Sequence, residues 1–202
     1  MSRTDLPAGI VTLVFTDVEG STKLLHELGP EAYSQALAEH RRLLREAYTR
    51  YGGVEVDTQG DAFFFTFPDA REAVAAAKEG REALRPSRIH VRVGIHTGEP
   101  HLGPEGYVGH DVHLGARIGA AGHGGQVLLS EPTRQAAALV EDVFLDLGEH
   151  RLKDFERPVL IHQLGAERFP PLKTISNTNL PRPASSFVGR EREVEAITAF
   201  DP

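Results

Sequence analysis

An α+β fold, with a ferredoxin-like βαββαβ core and extra strands and helices, is predicted by three features of the sequence. Short β-branched apolar runs alternate with segments of helical period. Two of those runs, Val54–Asp57 and Ala62–Phe67, are separated only by the turn Thr58-Gln-Gly-Asp61. That hairpin lies between two stretches long enough to be crossover helices.

The first strand is predicted at Ile10–Thr16, between Gly9 and the turn-like Asp17-Val-Glu-Gly20. Ser21 and Thr22 can open a helix carrying Leu24, Leu25 and Leu28, which Gly29-Pro30 breaks. Tyr33, Leu37, His40, Leu44 and Tyr48 mark a longer helix over about Glu31–Tyr51, and Gly52-Gly53 stops it. After the hairpin, an alanine-rich helix is expected over Arg71–Leu84 and a strand over Ile89–His96. Glu99–Gly109, with Pro100, Gly103, Pro104, Gly106 and Gly109, reads as a loop. A helix over Asp111–Ala121 ends at Gly122-His-Gly-Gly125. Then follow a strand (Gln126–Leu129), a short helix with Pro132 in its first turn, and strands at Val143–Leu147 and Val159–Leu164.

The division expected is a domain over 1–166, a proline-rich linker or extended arm over 167–186, and the start of a further unit at 187–202. Hydrophobic residues make up 40% and charged residues 25% of the 202, which fits a folded core rather than a disordered chain. Zero cysteines exclude disulfides, thiolate zinc sites and a cysteine nucleophile. The apolar runs are too short to span a membrane, and Met1-Ser-Arg-Thr-Asp-Leu-Pro7 lacks the apolar core of an export signal; a cytoplasmic location is expected. A net charge of −7 argues against direct nucleic-acid binding by this fragment.

Asp17 ends one apolar strand and Asp61 sits in the hairpin turn. If the hairpin packs beside the first strand, both carboxylates reach one point at the sheet edge. Paired carboxylates suit a hard cation that also takes phosphate oxygens, and Gly20-Ser21-Thr22 opens a helix whose free N–H groups favour a polyphosphate. The competing reading of Asp17 and Asp61 as ordinary turn and cap residues stays open on spacing alone. His96, His101, His110, His113 and His123 crowd the same region but lack the pattern of a zinc site. Arg41, Arg42 and Arg45 read as a solvated helix face.

Val14-Phe-Thr-Asp-Val-Glu-Gly-Ser-Thr22, Gln59-Gly-Asp-Ala-Phe63, Val93-Gly-Ile-His-Thr-Gly98, Asp111-Val-His-Leu-Gly-Ala-Arg-Ile118 and Gly122-His-Gly-Gly-Gln-Val-Leu-Leu-Ser130 resemble, in order and spacing, the motifs of class III adenylyl and guanylyl cyclase catalytic domains. The resemblance spans about residues 8–166. It implies that fold, and a homodimer with active sites at the subunit interface. It implies Mg²⁺ or Mn²⁺ held by Asp17, the Val18 carbonyl and Asp61, and a purine nucleoside triphosphate cyclised by attack of its 3′-hydroxyl on the α-phosphate. Gly20, Ser21, Thr22 and Lys153 would bind phosphate, and Arg117 would stabilise the pentacovalent phosphorus. Leu180–Glu193 resembles the opening of the ATPase domain of large signal-transducing ATPases, which implies a C-terminal ATPase module in a longer protein.

Three positions depart from the family pattern. Asp57 stands where adenylyl cyclases carry an adenine-reading lysine, Gly106 where they carry the second base-reading aspartate, and His113 where they carry a transition-state asparagine. Guanylyl cyclases have a glutamate at the place of Asp57, so Asp57 leans toward GTP. Gly106 supplies no side chain to read a base, and a site without paired recognition forgoes the roughly 10⁴-fold discrimination that hydrogen bonding can give. Losing one transition-state donor costs about 10²–10³ in rate, so slow turnover is expected. The alternative is a catalytically degenerate domain that binds nucleotide or dimerises to regulate the module behind it.

Overall fold

Residues 6–137 and 143–175 are described by a computed structural model. Their centre is a seven-stranded sheet in the order β2-β3-β1-β4-β7-β9-β8. Strand β1 (Val11–Val18) is flanked antiparallel by β3 (Ala62–Phe67) and β4 (Val91–Gly98), and β2 (Val54–Gln59) forms the edge beyond β3. On the other side β7 (Val127–Ser130) runs parallel to β4, followed by β9 (Val159–Leu164) and the edge strand β8 (Phe144–His150). Helices α1 (Ser21–Leu28), α2 (Pro30–Arg50) and α3 (Ala70–Leu84) join the first four strands, and α4 (His110–Ala121) and α5 (Glu131–Ala137) flank β7. The βαββαβ core expected from the sequence is there, with the hairpin beside the first strand.

Alternation along β1 divides the core. Val14 and Val18 pack toward α2 and α3, with Phe63, Phe65 and Phe67 of β3, Leu44 and Tyr48 of α2, and Ala73, Val74 and Ala77 of α3. Each such large side chain contributes about 1.5–3 kcal/mol by leaving water. Alanine and glycine on α3 bring α2 close: a Cβ on Gly80 would stand 2.9 Å from Leu44 Cδ2. Asp69 caps α3 by accepting from the Arg71 amide at 2.8 Å.

The other face of β4 presents Arg92, Gly94, His96 and Gly98, and α4 lies antiparallel along that track. A Cβ on Gly94 would fall 2.2 Å from the Gly119 nitrogen and 2.6 Å from the Gly115 carbonyl oxygen. One on Gly115 would fall 2.7 Å from the Phe15 ring, and one on Gly98 2.5 Å from the Asp111 carboxylate carbon. That carboxylate accepts from the Glu99 amide at 2.9 Å and meets His96 Nε2 at 3.1 Å. His96 Nδ1 lies 2.9 Å from Ser130 Oγ, and burial foremost holds the imidazole below its ordinary pKa.

Two expectations change. Glu99–Gly109 is not a loop but carries a small hairpin, β5 (His101–Gly103) and β6 (Gly106–Val108), closed by Pro104-Glu105. Its glycines and proline are turn residues of a two-residue connection, with Gly106 at φ 118°, rather than signs of irregular chain. Arg41 and Arg45 are not merely solvated: Arg41 donates to the Gly60 carbonyl, and Arg45 pairs with Glu55 while lying 5.1 Å over the Phe63 ring. The described part of the proline-rich stretch is an extended arm. Leu172 is buried with Ile118 and Leu152, and the Lys173 amide donates to the Ala121 carbonyl at 2.9 Å. Positions 176–202, which include the rest of that stretch and the ATPase-like start, lie outside the described residues.

Two outcomes follow from this packing. Gly94→Ala forces α4 off the sheet, because both close neighbours are backbone; a loss of roughly 2–4 kcal/mol is expected in urea unfolding, and a change below about 0.5 kcal/mol would contradict the close seat. His40 is fully buried on α2, tilted against Phe63, with neither ring nitrogen hydrogen-bonded among the described residues. Burial first, then the Arg41 charge, holds its pKa down at about 4. The unfolded chain takes up that proton near pH 6.5, so stability is complete above 6.5 and falls as pH drops toward 4, by up to about 3 kcal/mol. His40→Leu should flatten the melting-temperature profile across that window, leaving the smaller slope contributed by His96.

Candidate active site

Asp17 is the penultimate residue of β1, and its cross-strand partner on β4 is Arg92. Side chains opposite each other share a face, so the two meet on the α4 side of the sheet. Arg92 Nε donates to Asp17 Oδ2 at 2.9 Å, its Nη2 donates to the same oxygen, and Nη1 reaches the Ala120 carbonyl at 3.3 Å. The guanidinium thus bridges Asp17 and the C-terminal turn of α4.

Asp61 follows Gly60, whose φ of 61° makes the tight β2–β3 turn. The β1–β3 register pairs Thr16 with Phe63, and two further steps set Asp61 opposite Val18. Asp61 Oδ2 is buried and has no hydrogen-bond partner among the described residues. The phenol of Tyr33, on α2, feels both carboxylate charges. Burial pushes its phenol up, the Asp61 and Asp17 carboxylates push it further, and a hydrogen bond with Ser21 and the Arg41 charge oppose them. Asp61 lies opposite Val18, the neighbour of Asp17 in β1, so both carboxylates belong to the same end of that strand.

Gly20, at φ 69°, turns the chain into α1, and no side chain caps the free N–H groups at that helix start, where Ser21 and Thr22 lie. Glu19 fixes this corner from behind. It accepts from the Gly124 amide at 2.7 Å and pairs with Lys173, whose ammonium also reaches the Gly122 carbonyl at 3.1 Å. Burial alone would raise the Glu19 pKa; the bonds from Lys173 and Gly124 bring it below the usual carboxylate value.

Beside Asp17 opens a cavity of about 310 Å³, lined among others by Arg92, Asp57, Gln59, Phe64 and Ala116. A bulge between Glu55 and Asp57 decides which β2 residues face it. Glu55 points to α2 and pairs with Arg45, whereas Asp57 and Gln59 line the cavity. Asp57 Oδ1 accepts from the Thr58 amide and Oδ2 from Gln59 Nε2, both at 2.8 Å. Gly106 lies against neighbouring Val56; a Cβ there would be 3.7 Å from Val56 Cγ1.

Three other sequence-derived candidates stand apart from the cavity. Arg117 points away and pairs with Asp154, a residue at φ 70°. His113 is exposed on α4, and Lys153 is exposed beside Asp154. Of the histidines, His101 and His110 are exposed, His96 is buried, and His123 lies 3.1 Å from the Pro171 carbonyl. Reading the sequence missed Arg92, Tyr33 and Gln59. Arg92 carried a usable signal: a charge on the Val91-Arg-Val93 alternation must share a face with Asp17 once β1 and β4 pair.

The sequence profile of the adenylate and guanylate cyclase catalytic domain matches residues 6–163. An uncharacterised protein of Mycobacterium tuberculosis is 39% identical over 201 aligned positions, covering 93% of this chain and 70% of its own length. An adenylate cyclase of Trypanosoma brucei, solved in its monomeric state, superposes with a TM-score of 0.76 at 28% identity, covering 84% of this chain and 96% of its own. The guanylyl cyclase Cya2 superposes with a TM-score of 0.67 at 25% identity, covering 86% and 98%. No helix among the described residues is long and apolar enough to cross a membrane. With the sheet order, the position of α4 and the profile match in agreement, the chain belongs to the adenylate and guanylate cyclase catalytic-domain family.

Proposed function

We propose that this domain cyclises a purine nucleoside triphosphate to the 3′,5′-cyclic monophosphate and pyrophosphate, slowly, as a homodimer with shared sites. The observation that best supports this reading is the arrangement around the end of β1: Asp17 in the cavity wall, Asp61 opposite the next residue Val18, and the uncapped start of α1 shortly after. The donor set fits a hard cation: two carboxylates and the Val18 carbonyl, with one Asp61 oxygen already buried and unpartnered. Mg²⁺ or Mn²⁺ bound there would neutralise phosphate charge and favour the ionised 3′-hydroxyl.

This chain's own groups supply the rest. Arg92 neutralises Asp17 and, when a cation replaces it there, is released toward the triphosphate. The N–H groups of Gly20, Ser21 and Thr22 take phosphate oxygens, and Lys153 of the second copy, beside the Asp154 that pairs with Arg117, adds positive charge at the pyrophosphate end. The 3′-oxygen forms its bond to the α-phosphorus as the bond to the bridging α–β oxygen breaks; pyrophosphate leaves, and the hydroxyl proton passes to solvent. Arg117 of the second copy stabilises the charge on phosphorus, and His113 supplies the hydrogen bond that asparagine gives in relatives. A second copy is favoured by the face that would receive it. Phe15 stacks on Phe64 at 4.4 Å with neither ring fully covered, and Leu102 and Val108 stand exposed on the adjacent hairpin.

The regulatory reading is favoured by one specific contact. Lys173, on the arm leading toward the C-terminal segment, is tied to Glu19, two residues beyond Asp17. A downstream ATPase module pulling on that arm would act on the corner that holds the cation and phosphates.

Asp61→Asn should raise the melting temperature of the metal-free protein by about 2–4 °C, since it removes a carboxylate with a buried, unpartnered oxygen. The same change should abolish stabilisation by Mn²⁺; a variant still stabilised by Mn²⁺ would rule out Asp61 as a ligand. Shared sites are tested by co-expressing Asp17→Ala with Arg117→Ala and separating the nucleotide products by chromatography. Each variant alone should be inactive, and the mixed dimers should regain part of the wild-type rate from their one intact site. Dead mixtures that contain detectable heterodimer would show that each chain works alone.

A further inference from the structure

Gly106 leaves one side of base recognition without a side chain, and the backbone keeps it so. Its φ of 118° strains any L-residue, so β6 cannot easily acquire a reader by substitution. Recognition of the base edge therefore falls to β2. The bulge at Glu55/Asp57 turns Asp57 and Gln59, two residues apart, onto the cavity face, opposite Phe64 and Ala62 of β3. The two side chains are already joined by the 2.8 Å bond from Gln59 Nε2 to Asp57 Oδ2.

We propose that Gln59 is the second base-reading residue of this site and that the Asp57–Gln59 pair selects guanine nucleotides. The proposal rests on the nucleotide-site reading above. A carboxamide nitrogen carries two hydrogens; one holds Asp57 in place and the other is free to donate. The Watson–Crick edge of guanine offers O6 as acceptor and N1–H and the 2-amino group as donors. Gln59 donates to O6 while the Asp57 carboxylate accepts from N1–H and the amino group. Against adenine the same pair fails, because Asp57 faces the N1 lone pair and Gln59 faces a 6-amino donor. Specificity thus comes as much from mispaired groups against adenine as from bonds to guanine. In the dimer the two cavities are related by symmetry, so the pair reads the base whichever copy supplies the cation ligands.

Calorimetric titration of the α,β-methylene analogues of GTP and ATP, each with Mn²⁺, into wild type, Gln59→Leu and Gln59→Glu tests this. Wild type should bind the guanine analogue at least about 10-fold more tightly than the adenine analogue, the effect of one hydrogen bond or more. Gln59→Leu should lose about 10-fold for guanine with adenine affinity little changed. Gln59→Glu, with no hydrogen to give O6, should lose at least as much. Gln59 is exposed on an edge strand, and unchanged melting of both variants would confirm that folding is intact. Equal binding of the two analogues by wild type, or a guanine preference that survives in Gln59→Leu, overturns the proposal and leaves the nucleotide-site reading standing. Failure of wild type to bind either analogue overturns both.

Discussion

Seating α4 on β4 requires two pieces of backbone to approach within a distance no side chain permits. Gly94 on the strand and Gly115 and Gly119 on the helix face one another, and a single Cβ at Gly94 would overlap the Gly119 amide nitrogen. The rest of the site side depends on that contact. Because the helix lies so low, its first turn delivers Asp111 to His96 and to the Glu99 amide, which closes the entry to the β5–β6 hairpin. Its last turn brings the Ala120 carbonyl to Arg92, so the guanidinium is held between helix and strand while it engages Asp17. The alternation Arg92, Gly94, His96, Gly98 is thus a track in which every second residue has a fixed job, while Val91, Val93 and Ile95 fill the opposite core.

That division shows what the sequence could and could not disclose. Period-two alternation and helical spacing depend on residues near in the chain, and they located β1, β2, β3, the long helices and the hairpin turn. That Asp61 falls opposite the end of β1 was legible, because it needs only the pairing of the first strand with the adjacent hairpin. Arg92 and Tyr33 were not singled out, because their roles arise from contacts across 75 residues of chain and from a helix face read as plain packing. The β5–β6 hairpin hid behind its own turn residues, since glycine and proline serve a tight reversal and an irregular loop alike. The bulge in β2 had no local signature at all. Counting straight alternation from Glu55 would place Glu55, Asp57 and Gln59 on one face; the extra residue sends Glu55 to the helices and the other two to the cavity.

Electrostatics explain why the free site is arranged as it is. Burial first, then the Asp61 and Asp17 charges, raise the cost of ionising the Tyr33 phenol. Arg92 answers half of that charge by pairing with Asp17; nothing among the described residues answers the buried Asp61 oxygen. A site built for stability alone would not keep such an oxygen without a partner. Arg117 shows the complementary situation. Its guanidinium is paired with Asp154 at partial exposure, a contact of modest strength that a more strongly charged partner can displace. One arginine is thus held inside the cavity and another outside it, each by a carboxylate.

Glu19 links these local arrangements to the rest of the chain. Its amide donates to the His90 carbonyl and its carboxylate takes the Gly124 amide, so the residues just after Asp17 are braced against the β4 and β7 entrances. The third attachment, from Lys173, comes from the far end of the described chain and passes beneath the last turn of α4 at Ala121 and Gly122. A displacement of the arm therefore meets two elements together: the loop that starts α1, and the helix that carries Arg117. Burial of Leu172 beside Ile118 and Leu152 makes that coupling stiff, because the arm cannot lift its lysine without also withdrawing an apolar side chain from the core. A surface ion pair alone would transmit little. An ion pair anchored one residue from a buried leucine is held more firmly, and moves only with that leucine.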